Sequence, residues 1–146
     1  MKLYTIGFTQ KSAETFFGLL RQNGIQRLVD IRLKPDGQLA GFAKGGDLPF
    51  FLSQLVDGCR YEHLLELAPS KEILDEYRGT GDWARYALQF SSLLDERHVP
   101  ESLGQAAFEK YTSCLLCSEP TPQKCHRRLA AERLAACWPG VEIIHL

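Results

Sequence analysis

Apolar residues recur along this chain with two periods, and each change of period marks an element. Residues 3–7, Leu-Tyr-Thr-Ile-Gly, are a short β-branched and aromatic run that stops at a glycine, which predicts a strand. Ser12 then stands at an N-cap position. Ala13, Phe16, Phe17 and Leu20 follow at i, i+3, i+4 and i+7, one face of a helix that Asn23-Gly24 closes. Residues 27–31 read as a second strand around Leu28-Val29. Strand, helix and strand in so short a span is the βαβ pattern, which requires parallel strands.

From residue 32 to residue 46 the periodicity vanishes, and Pro35, Gly37, Gly41, Gly45 and Gly46 predict a loop of unusual length. A helix is expected from Asp47 as N-cap, with Pro49 in its first turn and Leu48, Phe51, Leu52 and Leu55 facing inward. A weak strand lies around residues 60–62 and a short helix near 72–77. A longer helix capped by Asp82 aligns Trp83, Tyr86, Ala87, Phe90 and Leu94 on a stripe that reads as core. Residues 111–117 are the third clear strand, and Pro120 and Pro122 forbid its continuation. A helix over 125–137 carries Ala130, Leu134 and Cys137 inward, and residues 141–146 form a last strand. Strands and helices alternate throughout. The expectation is a single α/β domain over residues 1–146, with a mostly parallel sheet flanked by helices.

The chain has 146 residues, enough to bury a core without a disulfide or a metal. Seventeen Lys and Arg against eighteen Asp and Glu leave a net charge of −1, a balance that does not favour nucleic acid, although a local basic patch would still permit it. No apolar stretch is long enough to span a membrane, and the first residues have neither the length nor the cleavage site of a signal peptide. Five cysteines, an odd number without dense spacing, read as reduced thiols of a cytoplasmic protein. The chain carries no mark of an oligomeric state.

Open parallel sheets bind ligands outside the carboxyl ends of their strands. On that rule the first strand delivers Thr9 and the second delivers Asp30 and Arg32, which share one side of the chain because side chains alternate. The third delivers Cys117 and Glu119, with Cys125, His126, Arg127 and Arg128 just beyond, and the last ends at His145. Cys125 and His126 open a helix whose free N–H groups favour a thiolate or a bound anion, and Arg127 and Arg128 add positive charge. Arg127 is expected to pair with the carboxylate of Glu119 or Asp30. Cys114 and Cys117 look like a zinc knuckle, but on a strand they face opposite ways, and no second such pair exists. Cys59, Cys114 and Cys137 read as small core residues, and His63 and His98 as solvated ones. Neither a cofactor nor a tightly held metal is expected.

The residues also resemble a family. Tyr4-Thr5-Ile6-Gly7, Asp30-Ile31-Arg32 with Pro35, Phe42-Ala43-Lys44, Leu115-Leu116-Cys117-Ser118-Glu119 through Cys125-His126-Arg127, and the closing Ile144-His145 look like the domain of unknown function 488 family. The resemblance runs over essentially the whole chain and implies a compact α/β domain, without a reaction. Two departures stand out. Members usually carry His-Ser-Asn where this chain has Phe8-Thr9-Gln10, and Leu-Gly-Gly where it has Leu67-Ala68-Pro69. Phe8 can be neither ligand nor proton carrier.

Three functional readings follow. The first is an enzyme acting on a small or nucleotide-like anion, which Arg32, Arg127, Arg128, His145 and Thr9 would hold. Cys125 or Cys117 would then be nucleophile, His126 or His145 would move protons, and Glu119 and Asp30 would orient or deprotonate those groups. The second is a non-catalytic module for a nucleotide or nucleic acid. The third is a thiol-based redox or metal sensor.

Overall fold

Five strands lie side by side in the order β3-β2-β4-β1-β5, and every neighbouring pair is parallel. They are β1 (Lys2–Gly7), β2 (Arg27–Asp30), β3 (Arg60–His63), β4 (Ser113–Cys117) and β5 (Glu142–His145) in a computed structural model that describes residues 1–146. Parallel strands need crossovers, and six helices supply them: α1 (Ala13–Gln22), α2 (Leu48–Leu55), α3 (Lys71–Thr80), α4 (Trp83–Glu96), α5 (Gln105–Lys110) and α6 (His126–Cys137). The chain folds as α/β.

The period-two alternation of the strands feeds two cores. On one face Tyr4, Ile6, Leu28, Cys114 and Leu116 meet Phe16, Phe17 and Leu20 of α1 and Leu48 and Leu52 of α2. On the other, Leu3, Val29 and Leu115 meet Phe90 and Leu94 of α4, Phe108 of α5 and Ala130, Ala131 and Leu134 of α6. The chain leaving β2 therefore turns to one face and the chain leaving β4 to the opposite face. Adjacent strands whose connections part in this way open a crevice at their carboxyl ends. The candidate site lies there.

Several local readings need correction. Residues 32–46 are not structureless: a 3₁₀ segment, Gln38–Ala43, runs through them with a kink at Gly41. Asp47 precedes α2 but its side chain caps nothing, and Leu55 is 46% exposed because the helix ends there and Val56 turns inward instead. Cys137 is likewise exposed, and the bulkier Trp138 takes the buried place beside it. Helix α5 has only Phe108 buried, so it offers no repeating stripe for a periodicity argument to find. No helix is long and apolar enough to cross a membrane.

Candidate functional site

All five strands point the same way, so their last residues, Gly7, Asp30, His63, Cys117 and His145, share one edge. Beyond β2 and β4 that edge holds a cavity of about 270 Å³. Arg32, Leu33 and Lys34 line it from β2, Pro69 and helix α3 form its wall, and Tyr86 enters from α4. Cys117, Ser118, Glu119, Lys124, Cys125 and His126 complete it.

Cys117 sits on the floor as the last residue of β4, only 4% exposed. His126, the first residue of α6, brings Nδ1 to 3.3 Å from Cys117 Sγ, while its Nε2 lies 2.7 Å from the carbonyl of Ile31. A carbonyl only accepts, so Nε2 carries hydrogen and Nδ1 is the ring nitrogen that faces the thiol. The ring is held edge-on against Phe90, with centroids 5.6 Å apart. Burial alone would push the Cys117 thiol up. The neighbouring Cys125 thiol, the N–H groups of Ser118 and Glu119 and the charge of Arg127 outweigh it, and the Cys117 pKa falls below the ordinary thiol value.

Cys125 behaves the other way. It occupies the N-cap of α6, as the two prolines upstream require, yet its side chain makes no capping bond. Its proximity to Cys117, then burial, push its pKa well above the ordinary range. The helix N-terminus alone therefore does not set the Cys125 thiol; its contact with Cys117 and its burial act the other way. Cys117, Cys125 and His126 bring three donor atoms within 4.8 Å of one another, close enough to share one ion with a position left open. Strand alternation alone does not anticipate that convergence, because it comes from α6 folding back over the end of β4.

The other predicted residues divide. Asp30 is wholly buried behind the cavity and takes a two-pronged ion pair from Arg32, with Nε–Oδ1 at 2.8 Å and Nη2–Oδ2 at 2.6 Å. Tyr61 also donates to Oδ2 at 2.7 Å, and Arg32 donates to the carbonyl of Ala43 at 2.7 Å, which fastens the 32–46 segment. Glu119 lines the cavity, but its carboxylate is exposed and forms no ion pair. Arg127 is completely buried, and the expected pairing with an acid is corrected: it donates to the main-chain carbonyl of Glu119 and, at 3.3 Å, to Thr5 Oγ1. Its Nη2 has no partner. Arg128 turns away from the cavity, 3.6 Å from Glu132 and over the ring of Trp83. His145, on the far strand β5, is bonded to Thr5 at 2.6 Å and does not reach the cavity; burial and then Arg127 lower its pKa. Thr9 is exposed and joins only through its backbone, to the carbonyl of Ser118.

Four contributors escape the sequence patterns. Lys34, Arg78 and Lys124 line the cavity without an ion-pair partner, whereas Lys71 is tied to Asp75 at 2.6 Å. Tyr86 belongs to the α4 stripe, but its hydroxyl bonds to nothing in the protein and its ring lines the cavity. His63, read as solvated, instead bonds the carbonyl of Arg32 at 2.6 Å. Of the two departures, Phe8 places its ring 5.2 Å from the Arg32 guanidinium and stays out of the cavity. Ala68 is in extended conformation, so that stretch of wall requires no glycine, and Pro69 lines the cavity directly.

The class is thus an all-parallel α/β domain with two thiols and a histidine gathered at a topological switch point. The chain belongs to the family described as Domain of unknown function DUF488, whose profile matches residues 12–134. No curated protein and no solved structure matches it.

Proposed function

We propose that the protein is a thiol-dependent enzyme acting on a small anionic substrate, with Cys117 as nucleophile. The observation that carries this reading is the 3.3 Å approach of His126 Nδ1 to Cys117 Sγ at the floor of a cavity bearing three unpaired cations. A nucleophilic thiol needs a neighbour that takes its proton and is itself held in one tautomer, and the Ile31 carbonyl does the holding. An anion would meet these three cations against one unpaired carboxylate, that of Glu119. Lys34, Arg78 and Lys124 attract it, and the Tyr86 phenol, whose pKa burial pushes up, keeps a proton to donate to it. Asp30 serves by holding Arg32, and with it the wall, in place. Simple anion binding would need the cations without the thiol and histidine. A reducing cytoplasmic setting suits five cysteines that are all free.

Alkylation by two reagents of equal size tests this. Free thiols react faster with neutral iodoacetamide than with the iodoacetate anion. Cys117 is expected to reverse that order, because the cavity concentrates anions, and inorganic phosphate should protect it. Cys117→Ser should abolish the fast reaction, and His126→Asn should move its pH profile upward. If phosphate binds while no cysteine is alkylated faster than in the unfolded chain, the domain is a binding module. One equivalent of metal that blocks alkylation until chelated would assign the trio to a metal centre instead.

A further inference from the structure

Resting on Cys117 as the nucleophile, we infer that the same site reduces small hydroperoxides and ends as a Cys117–Cys125 disulfide. The two sulfurs lie within 4.8 Å, buried together at 4% and 2% exposure, and both line the one cavity. A peroxide as small as hydrogen peroxide fits a space of about 270 Å³. Cys117 ends β4 and Cys125 caps α6, and residues 118–124 between them form only bends and turns. Bringing the sulfurs to the roughly 2.05 Å of a disulfide therefore breaks no helix or strand bond. It costs no cap either, because the Cys125 side chain makes none. The remaining thiols do not compete: Cys59 and Cys114 are packed in the core on the α1–α2 face, and Cys137 is exposed at the far end of α6.

The chemistry closes without a further reactant. The Cys117 thiolate attacks the terminal peroxide oxygen, a sulfur–oxygen bond forms and the oxygen–oxygen bond breaks. The leaving alkoxide, or hydroxide from hydrogen peroxide, takes the proton from Nδ1 of the His126 imidazolium. Cys117 is then a sulfenic acid, and the peroxide has gained two electrons. The Cys125 sulfur attacks the sulfenic sulfur, its proton passes to the departing hydroxide, and water and the disulfide result. In sum, two thiols and one hydroperoxide give a disulfide, an alcohol and water. A small external thiol restores the pair by exchange.

The arrangement divides the labour between two unlike thiols. Cys117, beside the His126 ring, attacks first, and Cys125 stands close enough to resolve it, the pairing expected of redox-active cysteines.

The full chain titrated with hydrogen peroxide tests the inference. One equivalent should be consumed, two of the five thiols should disappear, and intact mass should fall by about 2 Da, the two hydrogens lost in forming a disulfide. Peptide mapping should join Cys117 to Cys125, and dithiothreitol should reverse the change. Cys125→Ser should stop at a sulfenic acid that dimedone traps, and Cys117→Ser should consume no peroxide. If iodoacetate alkylates Cys117 rapidly but peroxide leaves five thiols or carries Cys117 to a sulfinic acid, the dithiol reaction is wrong and the nucleophile stands. If Cys117 is inert to both reagents, the proposed function fails first and this inference with it.

Discussion

Arg127 donates to the main-chain carbonyl of Glu119 and not to its carboxylate, although that carboxylate belongs to the same residue. The guanidinium is wholly buried, and no acid stands within ion-pairing distance of it. Elsewhere in the sheet the rule is different: Arg32 is matched by Asp30 and Arg27 by Glu62, each at 2.6 Å. A buried charge without a counter-charge is expensive. Cys117 can supply the missing negative charge, since Arg127 is among the groups that favour its ionised form.

Arg127→Met removes the charge while keeping an unbranched side chain. It loses two hydrogen bonds but also relieves the cost of a buried, unmatched cation, so stability should change by less than about 2 kcal/mol in urea unfolding. The pH profile for alkylation of Cys117 should move up by roughly one unit. Arg127→Lys keeps the charge and should leave the profile nearly in place. Equal shifts in both variants would show that charge is not the link.

Gly7 is fixed by its neighbours. A β-carbon there would lie 1.7 Å from the carbonyl oxygen of Glu119 and 2.9 Å from Arg127 Nη1. The first of these is backbone and cannot swing aside, so Gly7→Ala must push the end of β4 away from β1. The expected loss is about 3 kcal/mol, the upper end for overpacking. A urea midpoint equal to that of the parent chain would refute the close approach.

The fold was legible wherever one period ran long enough. The runs of β1, α1, β2 and α4 announce themselves because each buries a single face. Helix α5 was not, for it buries only Phe108. Within the site, Cys117, Cys125, His126 and Arg32 were readable because the carboxyl-edge rule needs only strand ends. His145 obeys the same rule yet misses the cavity, because β5 lies at the sheet's margin while the connections part beside β4. The opposite pKa directions of Cys117 and Cys125 were not readable, since they come from the contact between the two thiols and from the backbone N–H groups of Ser118 and Glu119. Lys34, Arg78 and Lys124 come from three separate segments, and only the closed fold brings them together.

Tyr86 separates core from site within one side chain. It is 3% exposed and its ring sits between Trp83 and Phe90, but its hydroxyl has no partner in the protein. Tyr86→Phe should therefore leave the melting temperature unchanged. The same variant should need about tenfold more phosphate to protect Cys117 from iodoacetate, the loss of one hydrogen bond to a charged group. Unchanged protection would return Tyr86 to the core.

Two thiols should give stability opposite dependences on pH. Burial raises the Cys59 pKa from 9.0 to about 11, against a smaller lowering by the Leu28 backbone. In the unfolded chain this thiol ionises near its ordinary value of 9.0, while the native chain holds the proton until about 11. Above that ordinary value the unfolded state binds fewer protons than the native one, so stability must fall as pH rises. The contribution is complete below pH 9.0 and is lost on the way to about 11, roughly 3 kcal/mol if the shift is fully expressed. Cys117 has the opposite sign. Its native pKa lies below the unfolded value, so its contribution is lost as pH falls through the native pKa and is present above the ordinary one. Urea midpoints measured from neutral pH to pH 11 should therefore rise before they fall. Cys59→Ala should lessen the alkaline fall, to which the raised thiols of Cys114 and Cys125 also contribute, and Cys117→Ser should remove the earlier rise. A Cys117→Ser variant that keeps the rise would mean that this thiol is not the group ionising in the native protein.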